Sequence, residues 1–259
     1  MKTRYVRLFA LFALLPACGP AFCDTVWTSK ETLEQRAATE NRAETQGTSR
    51  MEILRSGERI RVVEDRRQQN GTSYRFEVEF EPATLIPITW TRAKVTGEKE
   101  QRTELRVEGG VIETRTYTGN TLTGTHRIDT PGQPFCIVPL LRFQLALLAS
   151  ADGVTETIRV VRVQDDGAMA VDEVHVENLA EEDVTVPAGT FGCRRLRLTP
   201  LSWWMSTAVP PGHMYVATSG FHPLVKIVMS PTRISAPIIT ELLTYEVEQE
   251  TAGPPAGAP

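Results

Sequence analysis

Apolar and polar residues alternate without a break from Ser73 to Phe80, in the order SYRFEVEF. A period of two sends successive side chains to opposite faces of a strand, so one face meets a core and the other meets water. Similar runs recur from about residue 50 to residue 248. The sequence therefore predicts a sheet with one buried face and one solvated face, which is typical of antiparallel strands.

Short connectors rich in glycine and asparagine separate these runs, among them Asn70-Gly71, Gly109-Gly110 and Gly119-Asn120. Such residues accept a positive φ at little cost, which favours hairpin turns. Parallel neighbours would need longer crossover connections. We therefore predict a mostly-β fold: a curved antiparallel meander over residues 48–249 that forms a barrel or half-barrel.

One segment departs from the strand pattern. Residues 137–149, IVPLLRFQLALLA, read as a helix with Pro139 in its first turn, where a missing N–H costs little. Apolar residues cover nearly all of its circumference, because Arg142 and Gln144 point to roughly opposite sides. A short helix that is apolar all round is usually buried. We expect it to pack on the concave face of the sheet or to close one end of the barrel.

Both flanks of the predicted β domain are polar or of low complexity. Residues 24–47 form a charged lead-in, in which Thr28 and Glu31 resemble a helix capping box. Residues 250–259, ending in GPPAGAP, are small and rich in proline, which predicts a disordered tail.

The first 23 residues have the pattern of a secretory signal peptide. A basic start precedes the apolar run LFALFALL, and small residues follow it. Cleavage after Ala21 or after Cys23 fits the pattern. The sequence LPAC also allows lipidation of Cys18, as in bacterial lipoproteins. The mature protein is expected in the periplasm or outside the cell, or on the outer membrane as a lipoprotein; membrane contact is expected only with that lipid.

Two cysteines, Cys136 and Cys193, lie outside the leader. A pair of cysteines in an oxidising compartment predicts a disulfide. Closing a loop of about 57 residues would contribute roughly 4 kcal/mol on the chain-entropy model. The alternative is two separate buried thiols, since a free cysteine is often a core residue.

The run TVPAGTFGCRRLRL contains a turn followed by a strand whose phase slips. Pro187 ends the first ladder, because it has no N–H to donate. Phe191 and Cys193 then share one face, whereas Leu196 takes the opposite phase. A slip across the two intervening arginines predicts a β-bulge, which increases the twist and curvature of a sheet.

The sequence VPAGTFGCRRLRL resembles the Pro-Ala-Gly-Thr-Phe turn of exported bacterial proteins of the domain of unknown function 3108 family. The preceding meander, the apolar helix, the pair Trp203-Trp204 and the late strand HPLVKIVM fit in order over residues 48–249, although the spacing between the turn and the late strand is irregular. The resemblance implies a curved antiparallel sheet, related in shape to lipid-handling half-barrels of the envelope. It supplies no catalytic residue.

The sequence offers little for catalysis, metals or nucleic acid. The net charge is −4 and the basic residues are scattered, which disfavours nucleic-acid binding. Glu173, His175 and Glu177 would share one face of a strand at steps of about 6.6 Å, too far apart to converge on one ion. No Gly-x-Ser-x-Gly elbow or phosphate loop is present. We expect no enzyme activity, no metal and no cofactor.

Three functions remain open. The first is the binding of a lipid or other apolar ligand between sheet and helix, with Phe143, Leu147, Trp203 and Trp204 as lining residues. The second is a structural or assembly factor of the envelope, with a filled core and a protein partner on its outer surface. The third is a hydrolase of unknown substrate.

Overall fold

A computed structural model describes residues 29–39, 45–56, 59–82, 84–130, 135–137, 140–150, 153–201, 210–230, 232 and 235–249. The strands are β1 (Ser29–Thr39), β2 (Thr45–Ser56), β3 (Arg59–Gln68), β4 (Ser73–Phe80), β5 (Pro87–Thr96), β6 (Lys99–Glu108), β7 (Val111–Thr118), β8 (Thr121–Asp129), β9 (Phe135–Ile137), β10 (Thr155–Val163), β11 (Met169–Val186), β12 (Gly189–Pro200), β13 (Gly212–Ala217), β14 (Leu224–Met229) and β15 (Ile238–Gln249). One helix, α1 (Leu141–Ala149), accompanies them in the described residues. No helix in these ranges combines the length and apolarity needed to cross a bilayer.

The fifteen strands of the described residues belong to one sheet, in the order β8-β7-β6-β5-β4-β3-β2-β1-β15-β14-β13-β12-β11-β10-β9. Every neighbouring pair is antiparallel except β9 and β10. The first and last strands pair in the middle, so each half of the chain builds one half of the sheet. The predicted antiparallel meander is confirmed, and it is an open half-barrel with β8 and β9 as its two edges.

The sheet curls strongly, because its two edges are joined by a short piece of chain. Only five residues lie between Asp129, the end of β8, and Phe135, the start of β9, so six Cα–Cα steps join them. Six steps span at most about 21 Å when the chain is fully extended. The two edges of a fifteen-stranded sheet can lie that close only if the sheet bends round on itself.

The turn between β10 and β11, residues 164–168, is named the clasp turn. Hydrogen bonds at this turn hold the two halves of the sheet together. Arg92 of β5 donates hydrogen bonds to the carbonyl oxygens of Val163 and Gln164, at 3.0 and 2.6 Å. Thr114 of β7 donates to the carbonyl of Gly167 at 2.6 Å. These bonds tie the turn to the first half; the carbonyl of Gln164 also accepts from the N–H of Gly167 at 3.0 Å.

The two faces of the sheet differ as the alternation predicts. Ile53, Val62 and Val78 are at most 2% exposed and face the core. The outer face carries cross-strand ion pairs such as Arg59–Glu79, at 2.8 Å. Exposed pairs of this kind contribute about 0–1 kcal/mol each. They make the outer face a solvated surface and favour the observed strand register.

Helix α1 packs on the concave face, as expected. Leu145 is fully buried, and the helix contacts β9, β12 and β13 of the second half. Its Phe143 packs on Phe80 of β4 in the first half, with ring centroids 5.0 Å apart. The helix therefore bridges both halves. It begins later than predicted, because Ile137 belongs to β9.

The sheet begins at Ser29, within the segment that the sequence placed in a polar lead-in. Residues 29–39 form β1, which lies between β2 and β15. Glu31 and Leu33 are each 1% exposed. The alternation was hidden in the sequence, because some inward positions of this strand are polar and are satisfied by partners from other strands. The leader and the tail lie outside the described residues.

The predicted disulfide is not formed, and Cys136 and Cys193 are buried free thiols. Cys136 lies on β9 and Cys193 on β12, three strand spacings apart, or about 14 Å across a flat sheet. Cys136 pairs with Val160 of β10, which pairs with Asp172 of β11, whereas Cys193 pairs with Glu182 of β11. Asp172 and Glu182 are ten residues apart, which is about 33 Å along the strand. A disulfide needs Cα atoms within about 7 Å.

The phase slip expected in β12 is present. Leu196 pairs with Asn178 of β11, whereas Arg194 pairs with Glu181, so the register shifts between them. Cys193 and Leu196 are both buried, although a regular strand would send them to opposite faces; the extra residue of the bulge lies on β11, because β12 keeps an unbroken register with β13. The irregularity lies within β11, a strand of 18 residues, where added twist helps the sheet to curve.

Candidate functional site

An open groove of about 730 Å³ lies on the concave face and is floored by strands from both halves. Its volume is in the range of small-molecule sites, about 300–1,000 Å³. We call it the polar groove; it is lined by Gln35, Ala37, Gln46, Gly47, Thr48, Ser49, Glu64, Arg66, Arg67, Gln68, Gln69, Asn70, Ile227, Ile238 and Thr240.

Cross-strand pairing gives the floor of the groove its order. Directly paired residues of antiparallel strands share a face. From the rim inward, the rows across β1, β2 and β3 are Ala37, Gly47 and Gln68; then Gln35, Ser49 and Arg66; then Leu33, Met51 and Glu64. From Gln68 to Glu64 the floor runs four residues along β3, or about 13 Å.

Most of the residues that line the groove are polar. Five of its side chains are carboxamides: Gln35, Gln46, Gln68, Gln69 and Asn70. A carboxamide both donates and accepts hydrogen bonds, so it can pair with amide, hydroxyl or carboxylate groups. One of them, Gln35, donates to the carbonyl of Leu224 at 3.0 Å, which ties β1 to the end of β14.

The inner end of the groove contains an ion pair between a buried carboxylate and a partly exposed arginine. Glu64 is 3% exposed and accepts two hydrogen bonds from Arg66, from Nε at 2.6 Å and Nη2 at 2.9 Å. The Arg66 guanidinium also lies over the ring of Phe76, 4.9 Å from the centroid. Two parallel hydrogen bonds fix the plane of both groups, so this pair is a rigid part of the wall.

A second buried carboxylate lies deeper on the same face. Glu31 is 1% exposed and accepts from Arg55, from Nη2 at 2.9 Å and Nε at 3.2 Å. The hydroxyl of Tyr245 donates to Glu31 at 3.4 Å. Burial, together with the negative charge of Glu31, raises the pKa of Tyr245 to about 12.

Arg142 of α1 lies within electrostatic reach of both carboxylates. Its guanidinium donates to the sulfur of Met51 and lies 5.5 Å from the centroid of the Phe143 ring. Glu31 and Glu64 attract it electrostatically, yet within the described ranges it forms no ion pair at 4.0 Å or less. Burial lowers the pKa of Arg142, and the two carboxylates partly oppose that effect.

The lining residues predicted from sequence lie elsewhere. Phe143 is partly buried against Phe80, and Leu147 is 49% exposed on the opposite side of the helix from the core. Neither lines the polar groove. Trp203 and Trp204 lie outside the described residues, as does Cys18. A role for these residues in holding an apolar ligand or a lipid anchor stays a prediction.

The buried thiols show no feature of a reactive cysteine. Burial raises the pKa of Cys136 to about 12 and that of Cys193 to about 11. Because the thiolate is the nucleophile, a raised pKa makes a cysteine unreactive near neutral pH.

The strand trio Glu173, His175 and Glu177 is engaged on the outer face. Glu173 pairs with Arg159 at 3.0 Å, and Glu177 with Arg197 at 3.5 Å. In the part of the chain that the structure describes, no three histidine, cysteine or acidic side chains are placed to hold a metal ion.

Sequence reasoning missed the groove and the charges at its inner end. One signal was available: Arg142 is the only charged residue in the helix LRFQLALLA, whose other faces are apolar. A single arginine in a helix that must be buried needs acceptors on the surface facing it. The partners that approach it come from strands far away in the sequence.

No family model matches the chain, and no curated protein matches its sequence. Among solved structures, it resembles a candidate exported protein with a YmcC-like fold from Bacteroides fragilis, at 9% identity and a TM-score of 0.36, over 83% of this chain and 95% of that one. It also resembles a candidate lipoprotein from Parabacteroides distasonis, at 11% identity and a TM-score of 0.34, over 86% and 100%. Likenesses this distant carry no argument about function.

Proposed function

We propose that this chain is an exported, non-enzymatic protein of the bacterial envelope that binds a polar ligand in the groove of its half-barrel. One observation carries the proposal: helix α1 fills the apolar part of the concave face, and the open space of about 730 Å³ beside it is lined mainly by polar side chains. Export is supported by the leader pattern of residues 1–23.

An apolar ligand in place of the helix would come at a high energetic cost. Leu140 and Leu145 are fully buried, and burying one such side chain contributes about 1.5–3 kcal/mol. A lipid between sheet and helix would have to replace these contacts with its own. A polar ligand in the groove leaves them in place, which is why the geometry favours it.

A second candidate function, an assembly factor, is favoured by one edge of the sheet. Strand β8 spans Thr121–Asp129 and, in the described part of the chain, pairs with β7 alone. Its outer N–H and C=O groups are available to a strand from an envelope protein partner.

Native mass spectrometry of mature protein purified from a bacterial periplasm tests the proposal. Ser49→Trp places a bulky ring on the groove floor, and Thr244→Trp places the same ring on an exposed position of β15. We expect a bound polar molecule on the wild type and on Thr244→Trp, and its loss from Ser49→Trp. A bound lipid, or a polar molecule that Ser49→Trp retains, would contradict the proposal.

A further inference from the structure

We propose that the ligand of the polar groove carries a carboxylate, which Arg142 binds at the inner end of the groove. This inference rests on the proposed function, because it names the chemistry of the same site. Three observations carry it: the hydrogen-bonding state of Arg142, the charge balance around it, and its place at the end of the groove floor.

The guanidinium of Arg142 has fewer acceptors than it needs. It carries five N–H donors, and the acceptor found for it among the described residues is the thioether sulfur of Met51, a weak one. The two nearby carboxylates are each already held by another arginine. An arginine in such an environment gains most from a new oxygen ligand with two acceptor atoms.

The charged side chains closest to Arg142 at the inner end of the groove leave one positive charge in excess. Arg55, Arg66 and Arg142 stand against Glu31 and Glu64. A single carboxylate carries one negative charge and matches the planar fork of a guanidinium. A phosphate dianion would exceed the surplus and would meet repulsion from the two glutamates. The local balance therefore favours a carboxylate.

The groove leads to Arg142. Its floor on β2 runs inward from Gly47 to Ser49, and the next residue on that face is Met51, which Arg142 contacts. The floor length of about 13 Å fits roughly four residues of an extended peptide. The carboxamides along it can pair with peptide amides. Both the carboxyl end of a peptide and a small polar acid present the required group.

Isothermal titration calorimetry at low ionic strength tests the inference with three probes: N-acetyl-tetraglycine, its C-terminal amide, and acetate. We expect saturable binding of the tetraglycine acid, with at least tenfold weaker binding of the amide, because a charge-assisted pair is lost. Acetate binding as tightly as the tetraglycine acid would assign the site to small acids; weaker acetate binding would assign it to peptide carboxyl ends. Either pattern supports a carboxylate site.

Two variants localise the effect. Arg142→Met keeps the length and helix preference of the side chain and should weaken binding of the acid at least tenfold. Arg59→Met removes an exposed positive charge on the outer face, away from the groove, and should leave affinity within about threefold. Far-UV circular dichroism checks that each variant is folded. The ratio of the wild-type affinities for the acid and for the amide tests the proposal without any variant.

The outcomes separate this inference from the proposed function. Binding that Ser49→Trp abolishes and Arg142→Met leaves unchanged keeps the groove but overturns the role of Arg142. Binding that both variants leave unchanged overturns the groove as well. Equal affinity for acid and amide, or no saturable binding of the acid at millimolar concentration, overturns the carboxylate site.

Discussion

Truncating the buried side of helix α1 tests whether the helix is part of the core. Leu145 is fully buried, and Leu147, two residues further on, is 49% exposed. Replacing a buried leucine with alanine costs about 2.7–5 kcal/mol, through lost transfer energy and the cavity left behind. Surface substitutions usually stay within about 0.5 kcal/mol. We therefore expect Leu145→Ala to lower the free energy of unfolding by about 3 kcal/mol and Leu147→Ala to leave it nearly unchanged.

The two variants are a matched pair. Both change leucine to alanine in the same helix, so the change in helix propensity is the same and cancels in the comparison. Urea unfolding followed by far-UV circular dichroism gives the difference, and a loss of 3 kcal/mol corresponds to a Tm lower by about 6–12 °C. Equal losses for the two variants, or no loss for Leu145→Ala, would refute the placement of the helix in the half-barrel.

Three further predictions concern the clasp turn, the thiols and the buried tyrosine. Arg92→Met removes two hydrogen bonds from a charged donor to the clasp turn and should cost about 3 kcal/mol, with faster amide hydrogen exchange there; unchanged exchange would contradict the role of this turn. Cys136 and Cys193, whose pKa values are raised to about 12 and 11, should resist iodoacetamide at pH 8 until the protein unfolds, and peptide mass spectrometry would detect early labelling. The pKa of Tyr245 in the folded protein, about 12, exceeds its unfolded value of about 10. The resulting stabilisation is complete below pH 10 and is lost as the pH rises to 12, so Tyr245→Phe should reduce the slope of stability against pH in that window.

Local patterns in the sequence predict much of this fold. The alternation in SYRFEVEF fixes which side chains of β4 face the core, because the period of a strand is independent of its neighbours. The slip across Arg194-Arg195 can be predicted for the same reason. Phe191 and Cys193 have one phase and Leu196 has the other, so they cannot all face inward without a register shift.

Partners distant in the sequence explain what local patterns could not predict. Glu31 has the pattern of a surface residue until Arg55 is placed beside it, so the sequence predicts a polar lead-in where the structure has β1. The disulfide prediction was wrong for a related reason. The spacing of two cysteines along the chain does not tell how many strands separate them in the sheet.

The groove is still harder to predict from sequence, because its walls come from both halves of the chain. Gln35 of β1 and the carbonyl of Leu224, which it contacts, are 189 residues apart. The pairing of β1 with β15 brings them together, and no local feature of either strand specifies that pairing.

The pairing of β1 with β15 at the middle of the sheet also affects the order in which the protein can fold. β15, the strand that pairs with β1 and joins the two halves, is the last of the described strands to be synthesised. The two halves therefore cannot pair until β15 is available. Pairings between residues so distant are slow to form. Folding of this sheet is therefore expected to finish only once β15 is available to pair with β1.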